Sequence, residues 1–434
     1  MSHEAIGACG LIALLSILTI GVPIAVAMGV VGAVGLSILL TPEAALIKGG
    51  VTAFDAVSSY ELGVLPLFVL MAHLCFAAGA TQKFFDAAAK FLGHRPGGLA
   101  LAAIGGCAGF GAVSGSSLAT AATVGLVALP EMRKHNYAPS LATGALAAGG
   151  TLGALVPPSA ALIVYGVVAE QSIGKLFIAA LIPGLTQALF YMATIYILCR
   201  LNPKLGPPIA RASWRERAAA CAGIFDLGAL IALVTAGLAL GWFTPTEAAS
   251  IGVVGALVLC AARGCLSWAT LEHALRRTLQ TSGMIYAVII AAFLFSTFIS
   301  VSGIPAQLSH FVTGLHAGPI GAVTAMAAML LVLGSFLDGM ALMLLTTPIF
   351  LPLAVERGLS PIWFGIFLVR SMEIGFVHPP VGMNVYVIHE QARDIPLMTI
   401  FRGVVPFLAA DFVHLALLIA LPGLTLWLPT LLGM

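Results

Sequence analysis

The chain is 434 residues long, 60% of them apolar and only 8% charged, where a soluble domain carries roughly a quarter. Its 19 Lys+Arg and 17 Asp+Glu leave a formal net charge of +2, spread over short loops instead of gathered on one face. This composition excludes a soluble enzyme, a disordered chain, a secreted disulfide scaffold and a nucleic-acid binder; what remains is an all-α polytopic membrane protein. The 7 Cys have no CxxC or His partner spacing and read as small apolar packing residues.

A crossing helix needs about 20 apolar residues. Residues 5–40 are too long for one crossing and break at Gly21-Val22-Pro23, giving two short spans. No basic segment precedes the first, so it is expected to be retained and not cleaved as a signal. Further spans are expected at 62–79, 139–169, 176–199, 223–242, 246–262, 283–302, 361–389 and 404–428. The stretches 98–130 and 318–352 are apolar throughout but interrupted, at 111–117 (GAVSGSS) and 334–339 (GSFLDG). Each leg, of about 13 to 16 residues, covers roughly 20–24 Å at helical rise, short of a crossing. Each stretch therefore reads as a re-entrant hairpin, its tip at a depth where irregular backbone must be buried in protein or face a cavity.

Loop charge sets the sides. Residues 200–217 hold Arg200, Lys204, Arg211, Arg215 and Arg217 against Glu216, which makes them a cytoplasmic linker. Lys83, Lys90 and Arg95 place the loop before the first hairpin inside, and Glu43, Asp55 and Glu61 place 41–61 outside. In the second half Arg263, Arg276 and Arg277 put the first loop inside, while 304–317, free of Lys and Arg, goes outside. The hairpins thus enter from opposite faces. Pro130, Pro139, Gly153, Pro157 and Pro158 recur as Pro352, Pro361, Gly375, Pro379 and Pro380, all at an offset of 222, and the tips match at 224. With an odd number of spans per half, the second repeat is inverted. The expected units are a first repeat, 1–199 (scaffold spans 1–79, hairpin and broken helix 98–199), a linker, 200–222, and a second repeat, 223–434. In the latter, scaffold spans fill 223–302, the hairpin 318–352, and the broken helix with the last span 361–428. Paired Gly/Pro-interrupted segments in inverted repeats mark a secondary transporter with its site at the repeat interface.

Proline has no N–H and disturbs the carbonyl four residues earlier. Pro157-Pro158 and Pro379-Pro380 therefore free carbonyls around Gly153 and Ala154, and around Gly375 and Phe376. Such carbonyls beside the Ser114–Ser117 hydroxyls suit Na⁺, and the helix N-termini that follow suit an anion. Asp338 and Glu373 are the carboxylates at membrane depth, where an ionisable residue marks an ion or proton path. Alternatively Asp338 caps the hairpin's second leg and Glu373 pairs with Arg370 at i,i+3. Asn384 either donates to substrate or packs on a neighbouring helix, and Asp226 and Asp411 read as interfacial. His378 reads as a hydrogen-bonded histidine or a neighbour of the site.

Taken together, 111–117 (GAVSGSS), 153–159 (GALVPPS), 244–248 (TPTEA), Asp338-Gly339 with Thr346-Thr347-Pro348, and 379–384 (PPVGMN) resemble one family over nearly the whole chain. It is the large membrane subunit of the tripartite ATP-independent periplasmic transporters. The resemblance implies Na⁺-coupled uptake across a bacterial inner membrane, with the proton as alternative coupling ion, and no enzymatic activity. Its cargo would be an organic acid anion (a C4-dicarboxylate, sialic acid or related carboxylate) delivered by a periplasmic substrate-binding protein. A small four-helix membrane subunit would be the partner, expected as a separate polypeptide because the chain ends shortly after its last span. Transport would proceed as an elevator movement. By motif, Ser114, Gly115, Ser116 and Gly153 would hold one Na⁺; Asp338, Gly339 and Gly375, with Glu373, would hold its symmetry mate. Ser117, Pro157, Ser159, Pro379 and Asn384 would meet the substrate. A binding-protein-independent divalent-anion symporter shares this plan. An intramembrane hydrolase using Ser114 or Asp338 is remoter, since His73 and His378 lack a partnered motif.

Overall fold

The computed structural model describes residues 2–304, 307, 318–335, 337 and 339–433. Among these every regular element is helical. The first helices are α1 (His3–Thr19), α2 (Ile24–Leu39), α3 (Pro42–Ser58), α4 (Val64–Ala77) and α5 (Ala80–Leu92). The first hairpin is α6 (Gly98–Ser114) and α7 (Ser117–Lys134), followed by α8 (Pro139–Leu155), α9 (Ala160–Val168) and α10 (Ile173–Leu201). Then come α11 (Trp214–Ala239), α12 (Pro245–Ala262) and α13 (Trp268–Ser302). The second hairpin is α14 (Pro319–Gly334) and α15 (Gly339–Glu356), followed by α16 (Pro361–Gly375), α17 (Met383–Gln391), α18 (Leu397–Ala420) and α19 (Gly423–Leu431). Six helices are long and apolar enough to cross a membrane, or up to eight if each bent pair counts as one span. Large apolar side chains face outward in stripes, Val26, Val30, Val34 and Ile38 along α2 and Val254 and Val258 along α12. Water would not tolerate such faces; lipid does, and the chain is a multi-pass membrane protein.

The Gly/Pro punctuation acts where the sequence places it. The chain breaks between α1 and α2, at both hairpin tips and after α8 and α16. Both proline pairs carry a cis bond. The two halves keep register: Ser117 and Gly339 open α7 and α15, Pro139 and Pro361 open α8 and α16, and each pair is 222 residues apart.

Several expectations need correction. Segments 41–61, 80–97 and 263–282 hold helices α3, α5 and the first half of α13 where loops were expected. Their charges had masked an amphipathic period: α5 buries Ala80, Thr81, Phe85 and Ala87 and turns Gln82, Asp86 and Lys90 outward. The hairpin legs are 17 and 18, then 16 and 18 residues, three of the four longer than read, and of these legs α15 alone is long and apolar enough to cross. Pro130 and Pro352 do not end their legs, because α7 and α15 run one further turn. The last span divides at Pro422 into α18 and α19. The linker 200–222 is half helix and is stitched down: Gly206 accepts from Gly97 N–H and Leu205 from Ala138 N–H, each at 2.9 Å.

Packing falls into two groups. Helix α2 lies along α13 so closely that a Cβ on Gly32 would stand 2.9 Å from the Phe295 nitrogen, the small-residue packing of membrane helices. Helices α4, α11 and α12 join them. The TPTEA segment opens α12 as a capping box: Thr244 N–H donates to Glu247 Oε2 at 2.8 Å and Glu247 N–H to Thr244 Oγ1 at 3.3 Å. The hairpins, α8, α10, α16 and α18 form the second group, where α8 and α18 cross backbone to backbone at Gly144 and Gly403.

Candidate functional site

The first tip is built by Ser114-Gly115-Ser116. Gly115 has φ +61°, and a Cβ there would stand 2.9 Å from the Pro158 oxygen, so both backbone and space require glycine. Ser114 Oγ lies 2.7 Å from Thr120 Oγ1, and Ser116 caps α7 by accepting from Ala119 N–H at 3.4 Å. The Gly115 carbonyl accepts from Ala160 N–H at 3.2 Å, which joins the tip to the start of α9. Gly111 and Gly153 bring α6 against α8: a Cβ on Gly111 would stand 2.9 Å from the Gly153 Cα. The second half repeats this, since a Cβ on Gly375 would stand 2.9 Å from the Gly334 Cα.

Four carbonyls lose their i+4 donor to the proline pairs. Two find substitutes: Ser159 Oγ donates to the Ala154 oxygen, and Asn384 N–H donates to the Phe376 oxygen at 3.0 Å. The other two, on Gly153 and Gly375, accept no hydrogen bond from any described residue. These hard oxygens beside a serine tip suit an alkali cation; among the described residues no cluster of His, Cys, Asp or Glu could hold a metal.

The remaining predicted residues divide. Ser117 is buried and lines a cavity of about 960 Å³ with Ser114, Gly115 and Ser116. Asn384 is fully buried; its Nδ2 donates to Ser117 Oγ at 2.9 Å and to the Ala147 oxygen at 3.0 Å, tying α17 to α7 and α8. Pro157 and Ser159 are buried and Pro379 is exposed. Gly339 opens α15, buried against Met372 and Phe376. Asp338 lies outside the described residues. His378 meets Ser335 Oγ at 3.0 Å. Asp226, midway along α11, holds Arg263 at the C-terminal end of α12 at 2.5 Å.

Asp411 is not interfacial: it is fully buried and ion-paired with Arg370. Arg370 also holds Glu373 Oε2 at 3.2 Å and donates Nε–H to His414 Nδ1 at 3.1 Å. Gln187 Nε2 donates to Thr151 Oγ1 and Tyr191 Oη, both at 3.0 Å. Thr151 and Glu373 are each the thirteenth residue of α8 and α16; Gln187 and Asp411 are each the fifteenth of α10 and α18. The cluster therefore gathers residues at the same count along α8 and α16, and along α10 and α18, where these four helices meet. One guanidinium answers two carboxylates, and among the described residues Glu373 Oε1, Asp411 Oδ2 and Gln187 Oε1 meet no hydrogen-bond partner. The Arg370–Glu373 pair was legible at i,i+3; Asp411, His414 and Gln187 were not, because nothing local announces contacts 36 to 44 residues apart.

The cavity opens between the first tip and the face of α4 and α13. The first turns of α7 and α9 line it through Ser117, Leu118, Ala160 and Ala161, together with Met340 of α15. Helix N-termini carry a positive dipole end. His73, His273 and Arg277 line it as well, and no carboxylate does among the described residues.

Paired hairpins and broken helices around a cavity are the arrangement of a membrane transport protein. The chain matches the family model of the tripartite ATP-independent periplasmic transporter, DctM component, over residues 11–424. It is 36% identical to the C4-dicarboxylate TRAP transporter large permease protein DctM of Pseudomonas aeruginosa, over 94% of both chains. It is 33% identical to the sialic acid large permease SiaM of Vibrio cholerae, covering 92% of this chain and 95% of the relative. The 2,3-diketo-L-gulonate large permease YiaN of Escherichia coli is 29% identical over 95% and 96%. The chain belongs to this family as a large permease. In fold alone it resembles the YdaH transporter of Alcanivorax borkumensis (TM-score 0.56, 15% identity, 87% and 88% coverage) and the MtrF efflux pump of Neisseria gonorrhoeae (TM-score 0.55, 14% identity, 88% and 83%).

Proposed function

We propose that this permease takes up an organic acid anion across the bacterial inner membrane by Na⁺ symport, in two inverted-topology repeats of which the hairpin-bearing group moves as an elevator against the α2, α4, α12 and α13 group. The observation that carries this reading is the pair of unclaimed carbonyls, Gly153 and Gly375, at matching breaks beside the hairpin tips. With Ser114, Gly115 and Ser116, Gly153 supplies oxygens for one Na⁺. Gly375 and Gly339, with Asp338 and Glu373, supply the second. The substrate lies beside Ser117, held by the helix N-termini and the bound Na⁺; the other expected contacts, Pro157, Ser159, Pro379 and Asn384, do not line the cavity. Relatives named for a C4-dicarboxylate and sialic acid support a carboxylate cargo. A periplasmic binding protein delivers the anion, and a small four-helix membrane subunit completes the assembly.

Reconstituted vesicles test this with the relatives' substrates. An inward Na⁺ gradient at fixed pH should drive uptake only when both partners are present, and Ser116→Ala or Asp338→Asn should each reduce it at least tenfold. Uptake that follows a proton gradient at zero Na⁺ would overturn Na⁺ coupling. Uptake without either partner would favour a self-sufficient symporter.

A further inference from the structure

The serine tip is only one wall of the cavity. The opposite wall is α4 and one face of α13, on which Thr270, His273, Arg277 and Thr281 recur at helical spacing and all line the cavity. His73 joins them from α4. Arg277 is exposed and forms no ion pair with a described residue, while its neighbour Arg276 holds Glu272 at 2.8 Å on the outside. An arginine left unpaired beside two histidines, in a cavity without described carboxylates, is free to take a planar anion through its fork of N–H donors.

Resting on the transporter reading above, we propose that Arg277, flanked by His273 and His73, is a carboxylate anchor facing the hairpin tip. The anion spans the cavity, one carboxylate on Arg277 and its remaining polar groups toward Ser114–Ser117. The anchor sits on the wall that does not carry the hairpins, so it binds substrate only in arrangements that bring the first tip opposite α13. It selects for a carboxylate that carries a second polar end on a short apolar body, since Met284, Ile285 and Met372 line the same cavity.

Binding of succinate and of N-acetylneuraminate to the full chain in phosphatidylcholine nanodiscs, measured by titration calorimetry, tests this. Wild type should bind at least one of them. Arg277→Gln should weaken that binding at least about tenfold, Arg277→Lys should lose less, and Arg276→Gln should change nothing. Equal affinities for wild type and Arg277→Gln would overturn the anchor and leave the transporter reading intact. A wild type that binds neither acid would overturn that reading and the anchor with it. The same headgroup chemistry exists in anionic lipid, so the titration is repeated with phosphatidylglycerol added. A loss confined to those discs would assign Arg277 to lipid and overturn the proposal.

Discussion

Two polar regions of this permease use similar side chains to opposite ends. Around Arg370 the charged groups are fully buried and lie against one another: Asp411 and Glu373 each set one oxygen on the guanidinium, and His414 accepts its Nε–H. Around Arg277, the guanidinium and two imidazoles face an open cavity with no described carboxylate in it. The difference teaches that in an apolar protein a charge is assigned by what answers it. A charge neutralised inside the fold holds helices together; one left facing water waits for a ligand. The first region joins α8, α10, α16 and α18, and the second joins only the walls of a cavity.

The comparison breaks most readily at Arg370. Arg370→Met leaves two buried carboxylates uncompensated, and loss of one partner from such a cluster costs about 3–5 kcal/mol. Thermal unfolding in detergent should show loss of the folded chain, and the triple variant Arg370→Met/Glu373→Gln/Asp411→Asn should recover it. If Arg370→Met alone is as stable as wild type, the cluster does not hold the helices. Next come the close glycine contacts. A Cβ on Gly153 would press on the Ser116 carbonyl carbon at 2.9 Å, and one on Gly375 would press on the Gly334 backbone. Gly153→Ala and Gly375→Ala should each cost about 1–3 kcal/mol and cut uptake at least tenfold, with equal losses if the halves are equivalent. Asn384→Ala removes the two bonds that tie α17 to Ser117 and Ala147, a loss of about 1–3 kcal/mol for a buried partner; an unchanged melting temperature would return Asn384 to a purely substrate-facing role.

The smallest effect belongs to an exposed pair. Arg133 donates to Asp394 at 2.8 Å and, by that hydrogen bond, holds its carboxyl below the usual carboxylate range. A depressed carboxylate contributes at neutral pH and loses its contribution as pH falls through the lowered value, below about 4. Asp394→Asn should therefore shift the melting temperature by less than about 2 °C at pH 7, and the difference should vanish under acid. A larger shift would mean that surface pairs matter here as buried ones do.

Much of this was legible in the residues. Gly21-Val22-Pro23, Gly115 and the two proline pairs break helices for local reasons, positive φ or a missing N–H, and those reasons act wherever the chain goes. The 222-residue register of Pro130, Pro139 and Gly153 with their counterparts is likewise a property of the string. Helices α3, α5 and the start of α13 were hidden because charge suggested loops, when an amphipathic helix carries charge on one face alone. Asp411 stands on a span in a sequence that cannot say which way it points; the crossing of α18 with α10 and α16 turns it onto Arg370.

By itself, then, the sequence determined a membrane protein of interrupted helices in two matching halves, since hydropathy and backbone punctuation are local. Only the tertiary structure decided which polar groups answer one another. Arg370 and Arg277 both sit within helices, and what separates them is which carboxylates the packing of distant helices brings within hydrogen-bond reach.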